Sequence, residues 1–267
     1  MTFQDDYATL RGRLLQQTPI EVGKWHNVSV AGSKQHLFRE LLDVRFTRIM
    51  APRIDQSQAA IKPNLPWAED HFQERVSGKP LNPPPSQSWW PFGNTQRHQT
   101  EQGEAFSHSY PERFWPRHAG PHVSEELGKQ RTHMGIRFQY GDLDDVVNLL
   151  AREPMTRQAV LPVWFPEDTG NHADVRLPCS LTYQFTVREG RMRCTYNMRS
   201  VEFRRHFRDD VYMAERLTQW ICDRLNESDW DHHDPLEPGM LTMNMANLHL
   251  LEGDVEWARS EAISEAL

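Results

Sequence analysis

The stretch that decides the fold is Leu177-Pro178-Cys179-Ser180-Leu181-Thr182-Tyr183-Gln184-Phe185, backed by Tyr196-Asn197-Met198-Arg199-Ser200 and His206-Phe207-Arg208-Asp209-Asp210. Over 179–187 the chain alternates. Leu181, Tyr183, Phe185 and Val187 fall on one face and Ser180, Thr182, Gln184 and Thr186 on the other, the period-two signature of a strand. Glu189-Gly190 reads as a hairpin turn into a second strand over 192–198. The first strand thus opens on a cysteine, with Gln184 five residues on, and the second ends on Arg199-Ser200. Adjacent strands supply a thiol nucleophile, an amide that reads a polar edge, and an anion clamp.

Working outward, Val211, Ala214, Leu217, Ile221 and Leu225 form the apolar stripe of a long helix, and 240–250 is a final strand. Upstream, Leu143, Val146, Val147, Leu149 and Leu150 repeat at helical spacing, Glu153-Pro154 closes that helix, and 158–164 reads as a strand. The spacing over 35–49 predicts a helix. Residues 63–120 are rich in proline, tryptophan and histidine, as in Pro83-Pro84-Pro85 and Trp89-Trp90-Pro91. Such a stretch is an insertion folded over the core or a ligand-lining surface; nine tryptophans in the chain imply burial. Strands joined by both hairpins and helices predict an α+β class, a mixed sheet packed with helices, in a single domain over 1–267.

At 267 residues the chain can bury a sizeable core. Mean hydropathy is −0.73, and no apolar run approaches the roughly 20 residues of a membrane span. The opening Met1-Thr2-Phe3-Gln4-Asp5-Asp6 lacks the basic and apolar regions of a signal peptide. Cys179, Cys194 and Cys222 have no CxxC spacing, which fits a reducing cytoplasm. A net charge of −7 argues against stable nucleic-acid binding, so an anionic substrate needs arginines gathered locally.

A lone cysteine is more often packing than chemistry. Three features shift the balance for Cys179: Pro178 fixes the strand entry, the residue starts rather than centres the strand, and the next strand delivers Arg199, which favours thiolate. These motifs, specific over about 152–250, resemble the core of the thymidylate synthase family. Asp210, eleven residues after Arg199, stands where thymidylate synthases carry a base-reading asparagine. Aspartate there is similar to the deoxycytidylate (dCMP) hydroxymethylase branch, the phage enzymes that make modified cytosine.

The resemblance implies a set of roles. Cys179 adds to C6 of a pyrimidine nucleoside monophosphate, though Ser180 follows it where the family usually has histidine. Arg199 and Ser200 hold the phosphate. Arg157, in Thr156-Arg157-Gln158, reaches across an obligate homodimer, with Gln158 replacing a second family arginine. An arginine alone is otherwise a surface salt bridge. Lys24 is a weak stand-in for an early phosphate-loop arginine. Gln184 and Asp210 read the base; Asp209-Asp210 could equally cap the following helix. Cytosine offers an N3 acceptor and an N4 donor, so a carboxylate, protonated or aided by water, suits it better than uracil. His249 touches the sugar, with Leu251 where a tyrosine is expected. Glu69, in Trp67-Ala68-Glu69-Asp70-His71-Phe72, is expected as general base, with Glu74 second and Tyr110 in the proton network. A helix-face carboxylate and a packed ring are the plainer readings. Glu202 and Trp90 or Trp89 line the folate site. His232-His233 beside Asp231 and Asp234 lack the rest of a ligand set, so no metal is expected.

The reaction so implied converts dCMP to 5-hydroxymethyl-dCMP with 5,10-methylenetetrahydrofolate as co-substrate, in the cytoplasm, the host's if the chain is phage-encoded. The end, Ser264-Glu265-Ala266-Leu267, lacks the apolar closing tail of thymidylate synthases, which predicts water rather than hydride as the last acceptor. The alternatives are the same chemistry on dUMP, a C5 methyl transfer, and a catalytically silent member that binds nucleotide or RNA.

Overall fold

A computed structural model describes residues 2–21, 37–92, 106, 108–119, 140–169, 177–228 and 235–266. The predicted hairpin is its spine. β4 (Ser180–Arg188) and β5 (Arg191–Met198) pair antiparallel through Glu189 and Gly190, both at positive φ (55° and 70°), the conformation of a two-residue turn that matches strand twist. Tyr183, Phe185 and Val187 are buried as the alternation requires, but an irregularity between Ser180 and Thr182 breaks it at the start, so Ser180 is buried and Leu181 only half-buried. β5 then runs parallel to β7 (Glu237–Leu251), which pairs antiparallel with β2 (Leu37–Ile49). The short strands β1 (Ile20–Glu21) and β3 (Val160–Pro162) close the edges, giving the order β1-β2-β7-β5-β4-β3, and β6 (Val201–Glu202) pairs with β7. The result is the expected α+β arrangement with a mixed sheet.

The expected helix over 35–49 is instead β2. Its buried apolar residues Phe38, Leu41 and Val44 are spaced by three, which imitates a helix. Between Leu41 and Val44 the buried phase shifts where Asp43 takes a positive φ of 51°.

The long helix is α7 (Phe207–Glu227), and its predicted stripe of Val211, Ala214, Leu217, Ile221 and Leu225 is buried. It packs on β7 and β5, and α2 (Ile54–Ile61) and α3 (Trp67–Arg75) pack on it in turn. α1 (Phe3–Leu15) lies against β2, and Phe3 and Tyr7 stack into Phe203 and Phe207. The short α4 (Tyr110–Phe114) and α5 (Pro116–Ala119) precede α6 (Leu143–Arg152), which ends at Glu153 as predicted. α8 (Val255–Ala266) completes the described chain. The Pro- and Trp-rich stretch is thus partly helical and covers the core. Among the described residues no helix is long and apolar enough to cross a membrane.

Candidate active site

The entry to β4 is built by Arg199. Its backbone N–H donates to the Cys179 carbonyl (2.9 Å), Nε to the Pro178 carbonyl (2.9 Å) and Nη2 to the Leu177 carbonyl (3.0 Å). Nη2 also stands 4.0 Å from Cys179 Sγ. One guanidinium therefore shapes the approach to the cysteine and sets a fixed positive charge beside the thiol, which favours thiolate. Cys179 lines a cavity while Cys194 and Cys222 are buried in the core, where burial pushes the Cys194 thiol up to about 12.

The cavity lies between the β4 entry, the β5–β6 turn, the first turn of α7, α3 and the segment around Tyr110. Ser200 and Glu202 line it from the sheet side, Asp209 and Asp210 from α7, and Trp90 from the proline-rich stretch. Asp209 plays a structural part. Its two oxygens accept from the Asn64 N–H and Nδ2 (2.8 Å each), fixing the segment between α2 and α3. The Asp210 carboxyl takes no hydrogen bond from the described residues. Burial raises its pKa to about 7, helped by the neighbouring charge of Asp209 and opposed by Arg75. Glu202 is likewise raised to about 7 by burial, although it accepts from the Arg205 N–H at 2.6 Å and pairs with its guanidinium at 3.3 Å. Two acids that bind protons near neutrality thus face one space.

Tyr110 hydroxyl is 3.0 Å from Ser180 Oγ, which in turn hydrogen-bonds the Tyr196 hydroxyl. Ser180 therefore links the half-buried Tyr110 to the buried Tyr196 directly beside the cysteine. Burial raises Tyr110 to about 12, and the Arg75 guanidinium 3.9 Å above its ring opposes the shift. Trp90 stacks on His206 at 5.2 Å, so its indole forms one wall.

Several expected site residues are placed elsewhere. Glu69 does not line the cavity: both its oxygens accept from Arg216 (3.0 Å each), one also from the Tyr212 hydroxyl (2.5 Å), and it joins α3 to α7. Those partners lower its pKa against burial, which raises it. A carboxylate so engaged ties α3 to α7. Gln184 does not line the cavity: its Nε2 is 3.3 Å from the Arg157 carbonyl, on the side of β4 opposite buried Tyr183 and Phe185. Trp89 is half exposed and donates to Asp70 (3.1 Å), leaving Trp90 alone as wall. Arg157 is exposed, outside the cavity. His249 is buried behind Ser200 (3.5 Å), its Nδ1 2.8 Å from Asn247 Oδ1. Lys24 and 231–234 lie outside the described residues.

The cavity also holds residues that the sequence motifs did not single out. Trp67, His71 and Arg75 all line it from α3. Their spacing of four puts them on one helix face, a signal present in the sequence but overshadowed by the glutamates on the same helix.

The family model for thymidylate synthase matches residues 93–264, well over half the chain. A putative thymidylate synthase of Methanosarcina acetivorans is 24% identical over 125 residues, covering 47% of this chain and 52% of that protein. A thymidylate synthase of Listeria monocytogenes is 23% identical over 158 residues, covering 59% of this chain and 44% of its own length. The chain spans about half the length of these relatives. Its cysteine at a strand entry, held beside an arginine that ends the next strand, lies inside the matched region, and the chain belongs to the thymidylate synthase family.

Proposed function

We propose that the chain is a folate-dependent C5 hydroxymethyltransferase acting on dCMP through Cys179, and that it works as a homodimer. The observation that carries the cytosine choice is Asp210, a carboxyl that takes no hydrogen bond from the described residues and faces the same cavity as the thiol, its pKa raised to about 7 by burial. The neutral acid pairs with either base, so the discrimination comes from the ionised carboxylate, which accepts from the N4 amino group of cytosine and meets uracil O4 with no donor between them.

In this reading Cys179 thiolate, held by Arg199, adds to C6 and leaves the electron pair at C5. 5,10-Methylenetetrahydrofolate supplies a one-carbon unit to that carbon. Trp90 offers an apolar wall for the pterin and Glu202 a buried acid for its polar edge. Ser200 and Arg199 suit the phosphate, and exposed Arg157 suits a phosphate held by a second copy. The exposed sheet face supports the homodimer: an Asn244–Asn197–Thr182 hydrogen-bond ladder crosses it, and Leu42 and Ile49 are exposed on β2.

Incubation with dCMP or dUMP and methylenetetrahydrofolate, with mass analysis, is the test. Hydroxymethyl-dCMP and tetrahydrofolate are expected. Cys179→Ser should cut turnover by several orders of magnitude while still binding nucleotide; Cys194→Ser should remain active. An active Cys179→Ala enzyme would remove the covalent mechanism. The second reading, C5 methylation, is favoured by the names of the matched relatives; stoichiometric dihydrofolate with a methylated nucleotide would establish it.

A further inference from the structure

His71 sits in the wall of the cavity on α3, stacked on Trp67 (5.0 Å, 14°) and edge-on to Tyr110 (6.5 Å, 89°). Behind it Ser86 donates its N–H to Glu74 Oε1 (2.6 Å) and its hydroxyl to Glu74 Oε2. With its proton directed at Glu74, the Ser86 oxygen 3.0 Å from His71 Nδ1 is left to accept, and Glu74 Oε2 is itself 3.4 Å from that nitrogen. The hydrogen therefore belongs on Nδ1, and the Nε2 lone pair is left for the cavity side. Burial, with Arg75 adding, lowers the His71 pKa against the pull of Glu74, so the ring is neutral when resting. The charged and titratable groups that share the cavity with it are Arg75 from its own helix, His108 and Tyr110 from the segment before and in α4, Cys179 from the β4 entry, Glu202 from β6, and His206, Asp209 and Asp210 at the start of α7, with Glu74 behind the ring.

The other candidates for a base are differently placed: His206 is stacked flat on Trp90 and His108 packs edge-on against Tyr110. Glu69 is held by Arg216 and Tyr212, and the Glu74 oxygens are engaged by Ser86 and His71. Tyr110 holds its proton to about pH 12, and Asp210 is taken by the base edge in the reading above. A neutral imidazole with a fixed tautomer, a carboxylate behind it and a free face toward the substrate has the make-up of a general base.

We propose that His71 is the base that activates water in this site, with Ser86 and Glu74 as positioning residues; this rests on the hydroxymethyl reading above. Water oxygen bonds to the exocyclic methylene carbon while His71 Nε2 takes the water proton. The methylene π pair moves to C5 and re-forms the C5–C6 double bond as the Cys179 thiolate leaves C6. The imidazolium, steadied by Glu74 through Ser86, then returns its proton to solvent.

The test is His71→Gln assayed with dCMP and methylenetetrahydrofolate, with and without 2-mercaptoethanol. Hydroxymethyl product should fall about 100-fold or more, the usual weight of a general base, with nucleotide affinity within a few-fold of wild type. Added thiol, which carries its own thiolate, should intercept the methylene and give a thioether at close to the wild-type rate of carbon transfer. Glu74→Gln provides a second line: it should lower product formation and move the acid limb of the kcat profile to lower pH, because the charge that favours imidazolium is gone. Unchanged hydroxymethylation in His71→Gln overturns the proposal, and so does loss of the thioether along with the product. A wild-type enzyme that makes no hydroxymethyl nucleotide defeats the earlier reading instead, a result separable from both.

Discussion

Asp210 occupies the first turn of a helix, where the backbone dipole favours an ionised carboxylate, yet its pKa is raised to about 7. Burial and the charge of Asp209 outweigh both the dipole and Arg75. Asp209 supports the segment around Asn64, so its neighbour is not needed for that purpose. Asp210→Asn should therefore change base choice more than folding. An amide donates to O4 and accepts from N3–H of uracil, so kcat/KM for dCMP over dUMP should fall about 10-fold or more, about 1.4 kcal/mol for one exchanged buried pairing. Steady-state kinetics on both substrates decide it; an unchanged ratio would return Asp210 to a structural role. That Cys179 and Asp210 share a cavity was legible in the sequence, because Cys179 opens the strand beside Arg199 and Asp210 follows Arg199 by eleven residues. Glu69 was not, because a carboxylate's partner lies on another helix and no local spacing reveals Arg216.

At the scale of elements, α3 shows how one helix serves two neighbours. Trp67, His71 and Arg75 face the cavity, while Glu69 faces α7 and holds Arg216. The Arg216 side chain is almost wholly buried, so removing its partner charge leaves a cation poorly compensated. Glu69→Gln should lower unfolding free energy by about 2 kcal/mol, within the 1–3 kcal/mol typical of a broken buried pairing. For a chain of this size that is a Tm drop of several degrees. Its kcat at a temperature where it remains folded should stay within a few-fold of wild type. If Glu69 were the base, the order would reverse, with stability kept and turnover lost. The hairpin, α6 and α7 were readable because their apolar periods are clean. β2 was not, since Phe38, Leu41 and Val44 are buried at the spacing of a helix although the chain there is extended.

For the whole molecule, the cavity gathers acids whose proton affinity exceeds that of the unfolded chain: Asp210 and Glu202 at about 7 and Asp209 at about 6, all raised first by burial. Between the ordinary carboxyl range near 4 and pH 7 the folded state binds more protons than the unfolded one at these three sites. Their contribution is full below pH 4 and is lost as pH rises through 6 and 7. His71 acts in the opposite sense, since an unfolded imidazole takes a proton below about 6.5 that the buried ring refuses, but it is one group against three. The carboxyls of Glu69 and Glu74 are lowered and begin to matter only below about pH 4.5. Unfolding free energy should thus rise as pH is taken from 8 to 5 at constant ionic strength, where an ordinary surface-charged domain is nearly flat. Denaturant titrations at pH 5, 6, 7 and 8 would measure it. Asp210→Asn, which removes one of the three protons, should flatten the slope and exceed wild-type stability most at pH 8. A wild-type curve that climbs toward pH 8 would mean that these acids are ionised in the folded state without cost, and Asp210 would then have no proton to offer a cytosine ring at neutral pH.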